Sequence, residues 1–214
     1  MNIDHIRKIL AFLRFVLLKM FFSQSGNINF IYPRSYLQKI SKVKMGHHNV
    51  FHKYSRIAVN SGCKNQSIIF GNRNTIASFA ILNSHGGNIN LGNDNFIGER
   101  TQIQGRGGVV IGNNCLIAAN TFISSSNHNF EDPFASNYLK REVSKATLID
   151  DFVWIGANSV IVAGVKIGHH AIIAAGSIVT KNVEPLTMIA GNPGKVVKKF
   201  DKNKKEWIKI SELN

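Results

Sequence analysis

Across residues 111–180 a branched or long apolar residue returns at every sixth position. Ile111, Ile117 and Ile123 set the spacing, and after an interruption Ile149, Ile155, Ile161, Ile167, Ile173 and Val179 resume it. A helix repeats every 3.6 residues and an amphipathic strand every two, so a period of six requires an internal repeat. The units read Ile111-Gly-Asn-Asn-Cys-Leu, Ile117-Ala-Ala-Asn-Thr-Phe, Ile155-Gly-Ala-Asn-Ser-Val, Ile167-Gly-His-His-Ala-Ile and Ile173-Ala-Ala-Gly-Ser-Ile. Six extended residues span roughly 20 Å, so three units close a triangular coil, and coils stack at about 4.8 Å. The first residue of each unit fills the axis, the small second residue lets the backbone turn, and the small fifth residue faces the narrow interior.

Weaker units extend the pattern toward the N-terminus. Met45, Phe51 and Ile57 head one coil, Phe70, Ile76 and Leu82 a second, and Leu91, Ile97 and Ile103 a third. Coils therefore begin near 45, 70, 91, 111, 149 and 167, which predicts six. The long step from 111 to 149 marks an extruded loop over 129–148, polar and holding Pro133. Long loops on rigid scaffolds usually carry function. The domain plan is an N-terminal helix and irregular lead-in over 1–44, the coiled domain over 45–184, and a C-terminal turn and short basic helix over 185–214.

Residues 5–22 read as a mostly apolar helix with Arg7, Lys8, Arg14 and Lys19 in one arc of roughly 140° at 100° per residue. The charges interrupt it too often for a comfortable membrane span or a secretory signal. It suits a helix lying in a membrane surface, or equally one docked on the prism or at a subunit contact.

Charge sits at the ends. Residues 1–64 hold eleven Lys or Arg against one acidic residue, 65–180 balance at seven each, and 181–214 hold eight against four. Basic ends on a neutral prism suit polyanionic ligands such as coenzyme A, a lipid diphosphate or an acidic membrane surface. No nucleic-acid-binding motif accompanies the charge. Of two cysteines, Cys63 and Cys115, the second falls at an inward fifth position, which reads as a buried thiol in a reducing compartment.

His128 occupies the sixth position of its unit where the loop departs, so its ring must project outward. His47 and His52 raise a metal reading, but a zinc site needs three converging imidazoles and no third falls in register. His169 and His170 are adjacent and should point to different sides. No metal is expected.

The stretches Asn127-His-Asn-Phe-Glu-Asp-Pro133, Val153-Trp-Ile-Gly156, Ala175-Gly-Ser-Ile-Val-Thr-Lys181 and Ala190-Gly-Asn-Pro-Gly-Lys195 resemble the hexapeptide-repeat acyltransferases. The likeness is greatest to acetyltransferases of surface-polysaccharide clusters, such as those of capsule and O-antigen, and to the maltose and galactoside acetyltransferases. It implies an all-β fold, a left-handed parallel β-helix, and a homotrimer whose active sites lie between subunits. It also implies direct transfer from acetyl-CoA, with His128 from one chain as general base and the Trp154 strand from the next. Glu131 and Asp132 become candidates to orient His128. Trp154 would wall the pantetheine slot, the amide of Ala157 would meet the thioester carbonyl, and Ala175 would lie along the cofactor. Thr180, Lys181, Lys195 and Lys198 match positions that meet the nucleotide end. Where the galactoside branch places an Asn and an Asp to orient the acceptor, this chain has Arg100 and Arg106, which suit an anionic sugar.

The expected function is O-acetylation of a cell-surface polysaccharide or its lipid-linked precursor, in the cytoplasm at the inner face of the membrane. The alternatives are N-acetylation of a nucleotide-linked amino sugar and a non-catalytic repeat scaffold.

Overall fold

A computed structural model describes residues 3–60, 66–129, 131, 134 and 142–212. Short parallel strands form three faces of a solenoid, with seven strands on the first face, seven on the third, and ten on the second, whose last three lie in the tail. Every sixth-position residue expected on the axis lies in register with its neighbours. Leu91 meets Ile111 on the first face, Ile97 meets Ile117 on the second and Ile103 meets Ile123 on the third. These side chains form one continuous buried column from Ile31 to Ile189. Each fully buried aliphatic side chain stabilises by about 1.5–3 kcal/mol relative to exposure.

The solenoid has one coil more than the sequence reading predicted. Gln24–Ser25, Phe30–Ile31 and Tyr36–Gln38 pair in parallel with Val43–Met45, Val50–Phe51 and Arg56–Ala58. The lead-in is therefore a coil and not irregular. Ile31 and Leu37 keep the spacing of six, but the position six before Ile31 is Ser25, and the polar residue disguises the start. Phe15 and Phe22 supply the missing apolar cover from outside the repeat.

Phe15 belongs to the helix α1, Ile3–Leu18, and Phe22 follows its short 3-10 extension. The helix docks through a narrow stripe in which Ala11 and Phe15 are buried. Arg14 donates to the carbonyls of Tyr32 (2.6 Å) and Ser35 (2.8 Å), Lys19 donates to Asn27, and Lys8 sits over the Phe30 ring. Three of the four arc cations thus face the solenoid. The broad apolar face, including Leu10, Leu13, Leu17, Met20 and Phe21, is left exposed.

The interior carries a polar file beside the apolar ones. Asn49 donates through its backbone and side-chain N–H groups to Asn29 Oδ1, Asn74 does the same to Asn49, and Asn95 to Asn74. Cys115 ends the ladder, its N–H on Asn95 Oδ1 at 2.8 Å. The thiol is buried and free, as its position in the repeat requires. Cys63 lies outside the described residues.

At the C-terminal end the structure replaces the expected helix with a hairpin. Thr187–Ala190 pairs antiparallel with Lys195–Asp201, which pairs with Glu206–Lys209. The turn explains the error. Asp201 Oδ1 accepts from the N–H groups of Asn203 (2.8 Å) and Lys204 (3.1 Å), so Asp-Lys-Asn-Lys reverses the chain instead of starting a helix. Phe200 and Trp207 then meet edge to face across the pair at 5.5 Å. Only Ile210–Glu212 keeps a single 3-10 turn.

Candidate functional site

The chain leaves the solenoid after Ser125 and rejoins it at Thr147, whose strand pairs with Val109–Ile111 as though nothing intervened. The root of this arm is an antiparallel pair, Ser126–His128 against Glu142–Ser144. Two serine hydroxyls hold the start of the root. Ser125 Oγ donates to the Gln104 carbonyl (2.7 Å) and accepts from the N–H of Gly107 (2.9 Å), while Ser124 Oγ donates to the Ser126 carbonyl (2.7 Å). Thr147 Oγ1 closes the exit by donating to the Ser124 carbonyl at 2.6 Å.

His128 stands exposed at the end of that root, its N–H on Asn127 Oδ1 at 2.9 Å. It lines a cleft of about 410 Å³ together with Phe122, Asn127, Glu131, Val143, Lys145 and Val160. Glu131 is therefore brought to the same cleft as His128. Asp132 lies outside the described residues, as does most of the arm beyond Glu131.

Glu142, which the sequence reading passed over, sits directly opposite His128 in the ladder. Directly opposed residues project from the same side of an antiparallel pair. Its carboxylate is taken by Arg106, which reaches across from the coil below. Arg106 is thus engaged with the arm. His85 lies within the field of the same pair; burial first, and then the Arg106 charge, hold its imidazole below the usual histidine range. No sequence signal marked Glu142, because the hairpin that aligns it with His128 is set by hydrogen bonding and not by the repeat.

Arg100 lies elsewhere. It occupies a left-handed corner (φ 56°) and donates to Asn120 Oδ1 at 3.0 Å, in a separate surface depression.

The cofactor candidates fall in two groups, neither of which lines the His128 cleft of the same chain. Trp154 projects from the second face, 51% exposed, in a file with the exposed Phe96 and Leu116. The carbonyl of Ala157, at the next corner, accepts from Gly176 N–H at 2.8 Å, which stacks the Ala157 turn on the exposed Ala175 turn. Thr180 and Lys181 follow the last strand of the third face. The Gly-Asn-Pro-Gly turn is bound to that strand by Gly194 N–H on the Ile178 carbonyl (2.8 Å), and Ile178 N–H in turn bonds to Gly191 (3.0 Å). Lys195 and Lys198 enter the tail strand from this turn. The result is a cationic rim beside the last coil, apt for phosphates.

Among the described residues no three His, Cys, Asp or Glu side chains are grouped to hold a metal ion. His52 stacks on Tyr32 at 5.2 Å, and burial holds its pKa down. His169 and His170, expected to diverge, instead meet with Nδ1 atoms 3.1 Å apart, because the second residue turns back at φ 58°.

Comparison with known proteins draws these observations together. A family model described as bacterial transferase hexapeptide (six repeats) matches residues 146–181, and one described as hexapeptide repeat of succinyl-transferase matches 89–125. A putative lipopolysaccharide biosynthesis O-acetyl transferase of Escherichia coli is 31% identical over 151 residues, covering 67% of this chain and 77% of that protein. Galactoside O-acetyltransferase of the same organism is 35% identical over 124 residues, covering 58% of this chain and 60% of its own length. Two solved structures share the fold. AntD, an N-acyltransferase from Bacillus cereus, aligns over 89% of this chain and 90% of its own with a TM-score of 0.64 at 19% identity. The polysialic acid O-acetyltransferase OatWY aligns over 83% and 85% with a TM-score of 0.56 at 21% identity.

Proposed function

The chain belongs to the hexapeptide-repeat acetyltransferase family, and from that premise we propose that it transfers an acetyl group from acetyl-CoA to a hydroxyl of a cell-surface polysaccharide or its lipid-linked precursor. The observation that carries the reading is one imidazole, His128, standing exposed on a serine-locked root at the mouth of a cleft. Neutral imidazole takes the proton from the acceptor hydroxyl as its oxygen attacks the thioester carbonyl. The tetrahedral intermediate collapses, the carbon–sulfur bond breaks, and the imidazolium returns its proton to the departing thiolate. No acyl-enzyme is needed.

The cationic rim of Thr180, Lys181, Lys195 and Lys198 fits the phosphates of coenzyme A. It lies apart from the His128 cleft in one chain, which supports a complete site assembled between subunits of a homotrimer. The exposed file of Phe96, Leu116 and Trp154 is the apolar surface available for that contact. Acetyl-CoA as donor favours the cytoplasmic side for the reaction, and the exposed apolar face of α1 supports a place at the inner surface of the membrane. No described helix is long and apolar enough to cross a membrane.

Exchange of His128 tests the reading. With a purified polysaccharide acceptor, His128→Ala should lose on the order of 10²-fold or more in kcat with little change in KM for acetyl-CoA. Unchanged turnover would leave a scaffold. Turnover confined to an amine on a nucleotide-linked sugar would replace O-acetylation with N-acetylation.

A further inference from the structure

The outer side of the third face carries a feature that neither the repeat nor the His128 cleft requires. Corner residues at the same place in successive coils are Arg34, Tyr54, Phe79 and Arg100, all left-handed, with φ of 64°, 64°, 63° and 56°. Asn120 and Asn158 fill the equivalent corners further along. Asparagine adopts this conformation readily, whereas for bulky side chains it is uncommon and costly. Tyr54 and Phe79 offset that cost only in part by burial, being 37% and 47% exposed.

The side chains are arranged, not scattered. Tyr54 and Phe79 stack at 4.9 Å with their planes 8° apart. Arg34 lies over the Tyr54 ring and donates to its hydroxyl at 2.6 Å. Arg56 lies over Tyr36, in the adjoining file, at 5.1 Å. Together with Arg100 these groups border a depression of about 610 Å³. Glu99, 3.9 Å from Arg100, offsets part of that one charge. The depression adjoins the His128 cleft along the third face: Gln102, which borders the depression, pairs with Phe122, which lines the cleft.

We propose that this file is a binding track for an acidic glycan chain, leading the acceptor polymer along the third face to His128. Aromatic planes pack against the apolar faces of sugar rings, and guanidinium forks pair with carboxylate or phosphate oxygens. Arg34 and Arg100 are three coils apart, roughly 14 Å at the strand spacing. That reach exceeds a single diphosphate and suits an extended polymer. The inference rests on the acetyl-transfer reading only for what happens at the far end of the track.

Equilibrium binding by calorimetry to the full-length protein with coenzyme A present tests it, using oligogalacturonides of one to six residues and neutral maltooligosaccharides of matched length. Affinity for the acidic series should rise at least tenfold from monomer to tetramer and weaken with salt, while the neutral series should not bind. Arg56→Gln and Phe79→Asn should each remove most of the gain with length, at unchanged melting temperature and unchanged affinity for coenzyme A. Equal affinity for both series, no gain with length, or wild-type behaviour of both variants overturns the track. So does tighter binding of thymidine diphosphate or of an oligothymidylate than of the acidic hexamer. Acidic oligomers that bind without any acceptor provoking release of coenzyme A would leave the track standing and remove acetyl transfer.

Discussion

Cys115 shows how one position in the repeat dictates chemistry. Its place at an inward corner puts the thiol against the Asp150 carbonyl, to which it donates at 3.0 Å. Burial, aided by the nearby carboxylates, pushes its pKa up from 9.0 to about 11. The folded chain then holds the thiol proton more tightly than the unfolded chain does. That contribution to stability is complete below pH 9 and fades as pH climbs toward 11, by roughly 2–3 kcal/mol in all. Thermal unfolding followed from pH 8 to 11 should show a steeper fall in Tm for the native chain than for Cys115→Ala. The native thiol should also resist alkylation at pH 8 until the chain is denatured. The inward place of Cys115 and the outward place of His128 were both legible from a count of six. The asparagine ladder was not, since Asn29, Asn49, Asn74 and Asn95 reveal their shared use only when the coils are stacked.

The arm is the element that carries His128 to its cleft. Its hairpin root is pinned by the Arg106–Glu142 ion pair, with Glu142 opposite His128. Both side chains are partly exposed, so the pair adds about 0–1 kcal/mol to stability. Its effect should be on placement. Arg106→Ala is expected to lower kcat about tenfold while leaving Tm and KM for acetyl-CoA nearly unchanged, and exchanging the charges in Arg106→Glu with Glu142→Arg should recover part of the loss. A selective rise in acceptor KM for Arg106→Ala alone would instead favour direct contact with an anionic sugar. Sequence periodicity exposed where the arm leaves the stack, because the interruption breaks a strict count. It could not show the hairpin at the root, whose strands Ser126–His128 and Glu142–Ser144 are polar and carry no alternation. The tail misled for a related reason: Glu-Trp-Ile-Lys is too short for its period to separate strand from helix.

At the scale of the molecule, the two ends of the solenoid are finished differently. The last coil is closed by a hairpin, and the first is closed by α1, which turns Lys8, Ala11, Arg14 and Phe15 toward the coil and leaves Leu10, Leu13 and Leu17 exposed. A docked helix and a membrane-binding helix were rival readings of the sequence; the geometry accommodates both at once. Co-sedimentation with vesicles containing anionic lipid should capture the native chain, and Leu13→Glu with Leu17→Glu should release it without loss of folding or of turnover on a soluble acceptor. Retention of the double variant on vesicles would assign that face to another partner. Between the two ends, the pairing of Val109 with Thr147 and of Ile111 with Ile149 matches that of coils joined without any excursion. The stack keeps no memory of how much chain was paid out in between. A graft of longer or shorter sequence at that junction is therefore free to change which acceptor is admitted while the coils above and below stay in step.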